Sequence, residues 1–366
     1  MAVPFDLSRL AVIGGATGVI DGVMQAADRN LSDMDNTLAA QFTVSDTGAL
    51  VYLTGGAVAA TERSLAWVDR QGTSQALPAP PRPYFLPRLS PDGQRVAVST
   101  RESRQMWSYD IARGALSPVT VDGQSGYGIF APDGKRIVFR SGAAGGEDNL
   151  YWKAADGSGA VERLTTSARS QTPASWSPDG TTLAFVEEGD SRGFLQFDIW
   201  VLSIGDRKTR AVIHTDANEI TPEFSPDGRW LAYASNESGR HEVYVQPYPG
   251  PGERHLISTN GGEQPAWSRN GRELFYVQGG GFSGGDVTSL MAVRVATAPT
   301  FAAGTPEPVF DSGDLRMAWG RSYDIAPDGR RFLLTLNKKG PTNLAPAQMI
   351  LVQHWFEELK RLAPTK

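Results

Sequence analysis

The chain has 366 residues, 40% of them hydrophobic and 20% charged, with 40 glycines, 24 prolines and no cysteine. A net charge of −5 without a long Lys/Arg run argues against nucleic acid or an anionic membrane as main partner, and the lack of Cys excludes disulfides, thiolate metal sites and cysteine catalysis. No stretch reaches the roughly 18 to 20 apolar residues of a membrane span, and the Gly and Pro content suits a globular all-β chain dense in turns.

In chain order, Leu10 to Ile20 is apolar, but Asp6 lies ahead of it, Gly14, Gly15 and Gly18 break it, and Met24 or Gln25 stands where a small residue should precede a cut. It does not read as a cleaved signal peptide. Met1 to Asp6 and Val19-Ile20-Asp21 instead echo Met291 to Val295 and Val309-Phe310-Asp311. Residues 1–22 therefore read as a partial repeat or closing strand, followed by a polar loop over 23–39.

From here one phrase organises the chain. It stands as Ser90-Pro91-Asp92-Gly93, Ala131-Pro132-Asp133-Gly134, Ser177-Pro178-Asp179-Gly180, Ser225-Pro226-Asp227-Gly228 and Ala326-Pro327-Asp328-Gly329, with weaker copies at Ser45-Asp46-Thr47-Gly48 and Ser268-Arg269-Asn270-Gly271. Pro presets φ, Asp caps the local backbone and Gly takes the left-handed conformation that closes a hairpin. Asp92, Gly93, Asp133, Gly134, Asp179, Gly180, Asp227, Gly228, Asp328 and Gly329 are thus read as structural turn residues.

The seven glycines are spaced 41 to 58 residues apart, the period of four-stranded propeller blades. Repeats fall near 41–80, 86–122, 128–166, 173–215, 222–259, 265–311 and 322–355 within a single domain. Each carries a first strand, the turn, an apolar second strand such as Val96-Ala97-Val98 or Leu183-Ala184-Phe185-Val186, a variable loop, an aromatic-bearing third strand and a polar fourth. Pro87, Pro173, Pro222 and Pro265 are expected just ahead of first strands, where a missing N–H does least harm. Phe130, Trp176, Phe224 and Trp267, one residue before the phrase, are expected to pack between neighbouring repeats. Spacing predicts an amphipathic helix over 356–362, starting near Trp355.

These repeats resemble the TolB-type β-propeller repeat, and nearly the whole chain is similar to propeller regions carried C-terminally by bacterial serine/threonine protein kinases. With seven turns, the expected fold is an all-β, TolB-like propeller of seven four-stranded antiparallel blades, closed where the N-terminal strand near Thr17 to Val23 joins the C-terminal strands. Eight blades is the competing count. No Gly-rich loop with a strand Lys, no His-Arg-Asp and no Asp-Phe-Gly occurs, so no phosphoryl transfer is assigned.

Other motifs lack their context. Gly189 to Gly193 and Gly281 to Gly285 match G-x-S-x-G, and Gly279 to Gly284 matches G-x-G-x-x-G, yet no helix follows any of them. His214, His241, His255 and His354 are scattered along the chain, His241 and His255 within the repeat near 222–259, and none shows metal-ligand spacing. No catalytic, cofactor-binding or metal-binding residue is assigned.

The expected function is a non-catalytic, monomeric propeller that binds a protein or small-molecule ligand, a sensor module whose resemblance points outside the cytoplasm. The alternative is a lactonase- or lyase-like propeller enzyme with a divalent cation in its channel. Loops 101–105, 141–148, 187–197 and 278–288 vary most, and such loops carry recognition.

Overall fold

A computed structural model describes residues 1–24, 40–55, 62–100, 104–143, 145–189, 196–279, 288–315, 320–337 and 348–363. Two compact units emerge, one from Met1–Ala60 with Lys339–Lys366 and the other from Thr61–Lys338.

The larger unit is built from antiparallel sheets, six among the described residues. In the first four the chain lays down neighbouring strands in sequence order: Tyr84–Leu89, Arg95–Thr100, Gln105–Asp110 and Ala115–Pro118 form the first sheet. The second begins with Ser125–Phe130, the third with Gln171–Trp176 and the fourth with Glu219–Phe224. The fifth forks, because Ala302–Ala303 and Glu307–Asp311 both pair with Ser289–Ala296. The sixth joins distant parts of the chain: Tyr323–Ile325 and Arg331–Asn337 continue into Arg63–Asp69 and Ser74–Ala76.

Period-2 alternation explains the core. In the first sheet, Val96 and Val98 enter a cluster with Leu65, Trp67 and Leu333 of the sixth, while Ala97 between them faces Ile137 and Phe139 of the second. Further clusters join second to third, third to fourth, fourth to fifth, and fifth to sixth. A strand buried on both faces has no polar face to show, so the second strands are continuous apolar runs. Phe130, Phe224 and Trp267 are buried in these clusters and Trp176 packs on one, as their position before the turn implied.

The turn phrase closes the hairpin between first and second strands as its chemistry requires. In the Ser225 copy the Gly228 amide donates to the Ser225 carbonyl at 2.9 Å. The Ser225 hydroxyl donates to Asp227 Oδ1 at 2.6 Å and accepts the Trp230 amide at 3.0 Å. Gly93, Gly134, Gly180, Gly228 and Gly329 all have φ between 65° and 72°. The copies also touch one another. A Cβ on Gly93 would meet Pro327, one on Gly134 Pro91, one on Gly180 Pro132, and one on Gly228 Pro178. Each of these four glycines faces the turn proline of a neighbouring sheet. Gly329 meets nothing within 4 Å, in keeping with the preceding copy having Arg269 in place of proline.

Three expectations need correcting. The stretch 41–80 is not one repeat: Phe42–Val44 and Leu50–Leu53 pair with Met349–Val352 in the smaller unit, whereas Arg63–Asp69 and Ser74–Ala76 belong to the sixth sheet. The strands completing that sheet are therefore not near Thr17 to Val23, since Thr17 bridges Ala2 and Val23 bridges Thr54. The turn phrase marks only a local hairpin, and which distant strand completes a sheet is set by long-range pairing that no local motif records. Finally, Pro87, Pro173, Pro222 and Pro265 lie inside first strands, not ahead of them. A first strand has an unpaired edge, and the register shifts at each of these four sites, so the missing N–H breaks no ladder.

The smaller unit contains that three-stranded sheet, the ribbon Phe5–Asp6 with Ala11–Val12, and the helix Trp355–Leu362. Its Trp355 amide donates to the Gly48 carbonyl at 2.7 Å. Among the described residues no helix is long and apolar enough to cross a membrane.

Candidate functional site

The first strands of the sheets carry both strain and buried charge. Leu86, Tyr127, Thr221 and Gln264 have φ of 51°, 58°, 52° and 57°, each within a register shift of its first strand. Left-handed conformation in bulky or β-branched residues costs of order 1 to 3 kcal/mol each and persists only where the surroundings impose it. Each comes directly before Pro or Gly: Pro87, Gly128, Pro222 and Pro265.

Four charged side chains gather beside these bulges. Arg321 Nη1 lies 2.8 Å from Glu223 Oε1, and its Nη2 lies 2.9 Å from Asp324 Oδ1. Asp324 Oδ2 accepts the Leu89 amide at 2.7 Å. Arg88 Nη1 donates to the carbonyls of Arg321 and Tyr323 at 2.8 and 3.1 Å. Ser322 donates to Gln264 Oε1 through its amide and hydroxyl, and the Tyr323 hydroxyl donates to the Gln264 carbonyl at 3.0 Å. Glu223 belongs to the fourth sheet and Arg321 lies at the start of the sixth, which share no hydrophobic cluster. The first strands therefore converge at this point.

The two arginines share equal burial but not equal company. Burial and the neighbouring Arg321 charge pull Arg88 down to about 9, only partly opposed by Asp324 and Glu223. For Arg321 burial also disfavours charge, but its two carboxylates outweigh it and hold the group above the ordinary arginine value. Burial raises Glu223 despite its arginine partner and pushes the Tyr323 hydroxyl well up.

A second set of buried acids lies where second strands end and third strands begin. Glu219 Oε1 accepts the Thr215 hydroxyl at 2.5 Å, His214 Nδ1 lies 2.8 Å from Asp198 Oδ2, and His241 Nδ1 lies 2.6 Å from Glu263 Oε1. Arg104 and Arg140 both reach Asp148, at 3.1 and 3.2 Å, tying the ends of two variable loops together. Among the described residues no group of three or more His, Cys, Asp or Glu could hold a metal ion. A surface cleft of about 370 Å³ in the fork of the fifth sheet is lined by Arg70, Glu273, Arg294, Thr305 and Glu307, among others.

The turn residues named from sequence lie at hairpin turns and take no part in the charged cluster. Asp92, Asp179 and Asp227 each accept a serine hydroxyl and a backbone amide, while Asp133 and Asp328, whose copies begin with Ala, accept the amide without a serine hydroxyl. His255 packs between Trp230 and Phe301, and His354 precedes the helix with φ of 57°. Residues 190–195 and 280–287, which include most of the G-x-S-x-G and G-x-G-x-x-G matches, lie outside the described residues. Sequence reasoning missed Arg88, Glu223 and Asp324, although each stands two residues before the phrase, where the other three first strands have Ile129, Ser175 and Ala266.

No protein-family profile matches the chain. An uncharacterized protein of Agrobacterium fabrum is 26% identical over 204 residues, covering 54% of this chain and 66% of that protein. The Tol-Pal system protein TolB of Xylella fastidiosa is 29% identical over 79 residues, covering 22% of this chain and 18% of that protein. The chain thus spans less than two thirds of the length of these curated relatives. Among solved structures, a TolB-like protein of Agrobacterium tumefaciens superposes with a TM-score of 0.62 at 18% identity, covering 77% of this chain and all of that one. TolB from Acinetobacter baumannii gives 0.51 at 15% identity, covering 82% and 79%. With the turn repeat and the stacked four-stranded sheets, these likenesses establish a TolB-like β-propeller fold for the chain.

Proposed function

We propose that the chain is a non-catalytic binding module. In this reading the six sheets of the larger unit form a closed ring, six blades in place of the seven expected from the turn count, and ligand or partner protein is met by the loops between second and third strands. The observation that supports it most is the state of the charged cluster: Asp324 has both oxygens bonded and Glu223 is engaged by Arg321. Hydrolysis or elimination needs an acid or base within reach of a substrate proton, and these groups are committed to holding first strands together. A sensor module outside the cytoplasm, of the kind carried by receptor-like kinases, fits this reading.

Turnover is the test. Incubated with lactones, simple esters and uronic-acid oligomers, with and without manganese or calcium, the full chain should give no product above the protein-free rate. A rate that falls at least a hundredfold in Asp324→Asn or Glu223→Gln, on the scale of a lost general acid or base, would establish an enzyme and overturn the proposal.

A further inference from the structure

The outer edge of the fifth sheet is interrupted. Ser289–Ala296 pairs on one side with Glu273–Gln278 and on the other with Ala302–Ala303 and Glu307–Asp311 in turn, and the chain leaves that second edge over 304–306. The cleft of about 370 Å³ lies at this gap. Its charged walls are strand neighbours: Glu273 opposes Arg294, and Ala292, on the same face as Arg294, opposes Glu307. Deeper in, that face packs Phe275 and Ala292 against Val68 and Phe332 of the sixth sheet.

Arg70, in the turn after Arg63–Asp69, takes the carboxylate that would otherwise answer Arg294. Its Nη1 and Nη2 donate to the two Glu273 oxygens at 3.1 and 2.6 Å. Its Nε and Nη2 also donate to the Gly329 carbonyl, and its guanidinium lies 5.3 Å over the Phe275 ring. The bidentate pair commits these two charges to each other. Among the described residues no hydrogen bond or ion pair engages the side chains of Arg294, Thr305 or Glu307. One charge of each sign is therefore free at the cleft, and Ala292, Pro308 and Val309 add apolar lining beside them. Arg294 and Glu307 are diagonal neighbours, roughly 7 Å apart at Cβ. A molecule bearing a carboxylate and an ammonium on one carbon can bridge that span.

We propose that this cleft binds a small α-amino acid with an aliphatic side chain. The carboxylate meets the Arg294 guanidinium, the ammonium meets Glu307, and the side chain lies against Ala292, Pro308 and Val309. A ligand with only one of the two charges leaves one protein charge unanswered, so the site favours the zwitterion. The cleft opens at the turn-phrase end of the strands, away from the variable loops, so the proposal goes beyond the binding reading and stands or falls separately from it.

L-Leucine titrated into the full chain at constant ionic strength, followed through the backbone amide resonances of Ala292 and Val309, tests it. Both resonances should shift saturably with one leucine per chain. Isocaproate, which lacks the ammonium, and isoamylamine, which lacks the carboxylate, should each bind at least about tenfold more weakly, as should leucine to Arg294→Met and to Glu307→Gln, the scale of one lost charge-assisted hydrogen bond. No saturable shift, an equal response to either analogue, or an unchanged leucine affinity in either variant overturns the proposal. The analogue comparison uses the unaltered chain, so it decides the matter even if a variant misfolds.

Discussion

At the scale of single residues, identical side chains take opposite roles according to their neighbours. Arg88 and Arg321 are equally buried, yet both carboxylates of the cluster belong to Arg321, whose charge is thereby held firm while that of Arg88 is undermined. Glu219 gives a separate check on buried charge. Burial raises its carboxyl above the ordinary value of 4.5, against the lowering effect of the Thr215 and Ser235 hydroxyls and with Asp198 adding to the rise. A carboxyl raised in the folded state stabilises below the unfolded value, and that contribution is lost as pH climbs through the folded value. Glu219→Gln removes this titration, so its stability relative to wild type should improve from pH 4.5 to pH 8 in urea denaturation. A gap that stays constant or moves the other way contradicts the assigned shift.

At the scale of elements, hairpins were legible and their partners were not. Pro, Asp and Gly at fixed offsets act within a few residues, so Ser90 to Gly93 predicts its own turn wherever the sheet lies. Arg63–Asp69 pairs with Arg331–Asn337 through apolar faces such as Leu65 and Leu333, which many other strands could have matched. The charged cluster was hidden for the same reason: Arg88, Glu223 and Arg321 are far apart in sequence and meet only because three sheets direct first strands to one place. The contact between successive turns was equally invisible in any single copy. It makes a sharp prediction. Gly93→Ala and Gly329→Ala each force alanine into left-handed backbone, costing about 1 to 2 kcal/mol. At Gly93 the new Cβ would also sit 2.6 Å from Pro327 Cγ, while at Gly329 it meets nothing, so Gly93→Ala should cost roughly 1 to 3 kcal/mol more. Equal losses in thermal denaturation would show that the turns do not support one another.

At the scale of the molecule, the sixth sheet decides everything else. If Arg63–Asp69 and Ser74–Ala76 complete the blade begun by Tyr323–Ile325, the six clusters form one continuous circuit, no sheet face is left open, and the first strands have a common centre for Arg88 and Arg321 to occupy. Such a closure spares the circuit the exposed apolar faces that an unfinished ring would leave. It also makes the larger unit cooperative, because its first and last strands lie in the same sheet.

The most direct measurement uses the absence of cysteine. Leu65 is paired with Thr335, and Ala66 with Leu334; directly opposed residues of an antiparallel pair lie about 4.5 to 5.5 Å apart, within disulfide range. Two double variants, Leu65→Cys with Thr335→Cys and Ala66→Cys with Leu334→Cys, place thiols where no other cysteine can intervene. At least one should form an intramolecular disulfide on oxidation, seen as a cross-linked peptide by mass spectrometry, and should unfold at a higher temperature oxidised than reduced. Thiols that stay reduced in both variants, or that link only between molecules, would contradict a ring closed by the sixth sheet.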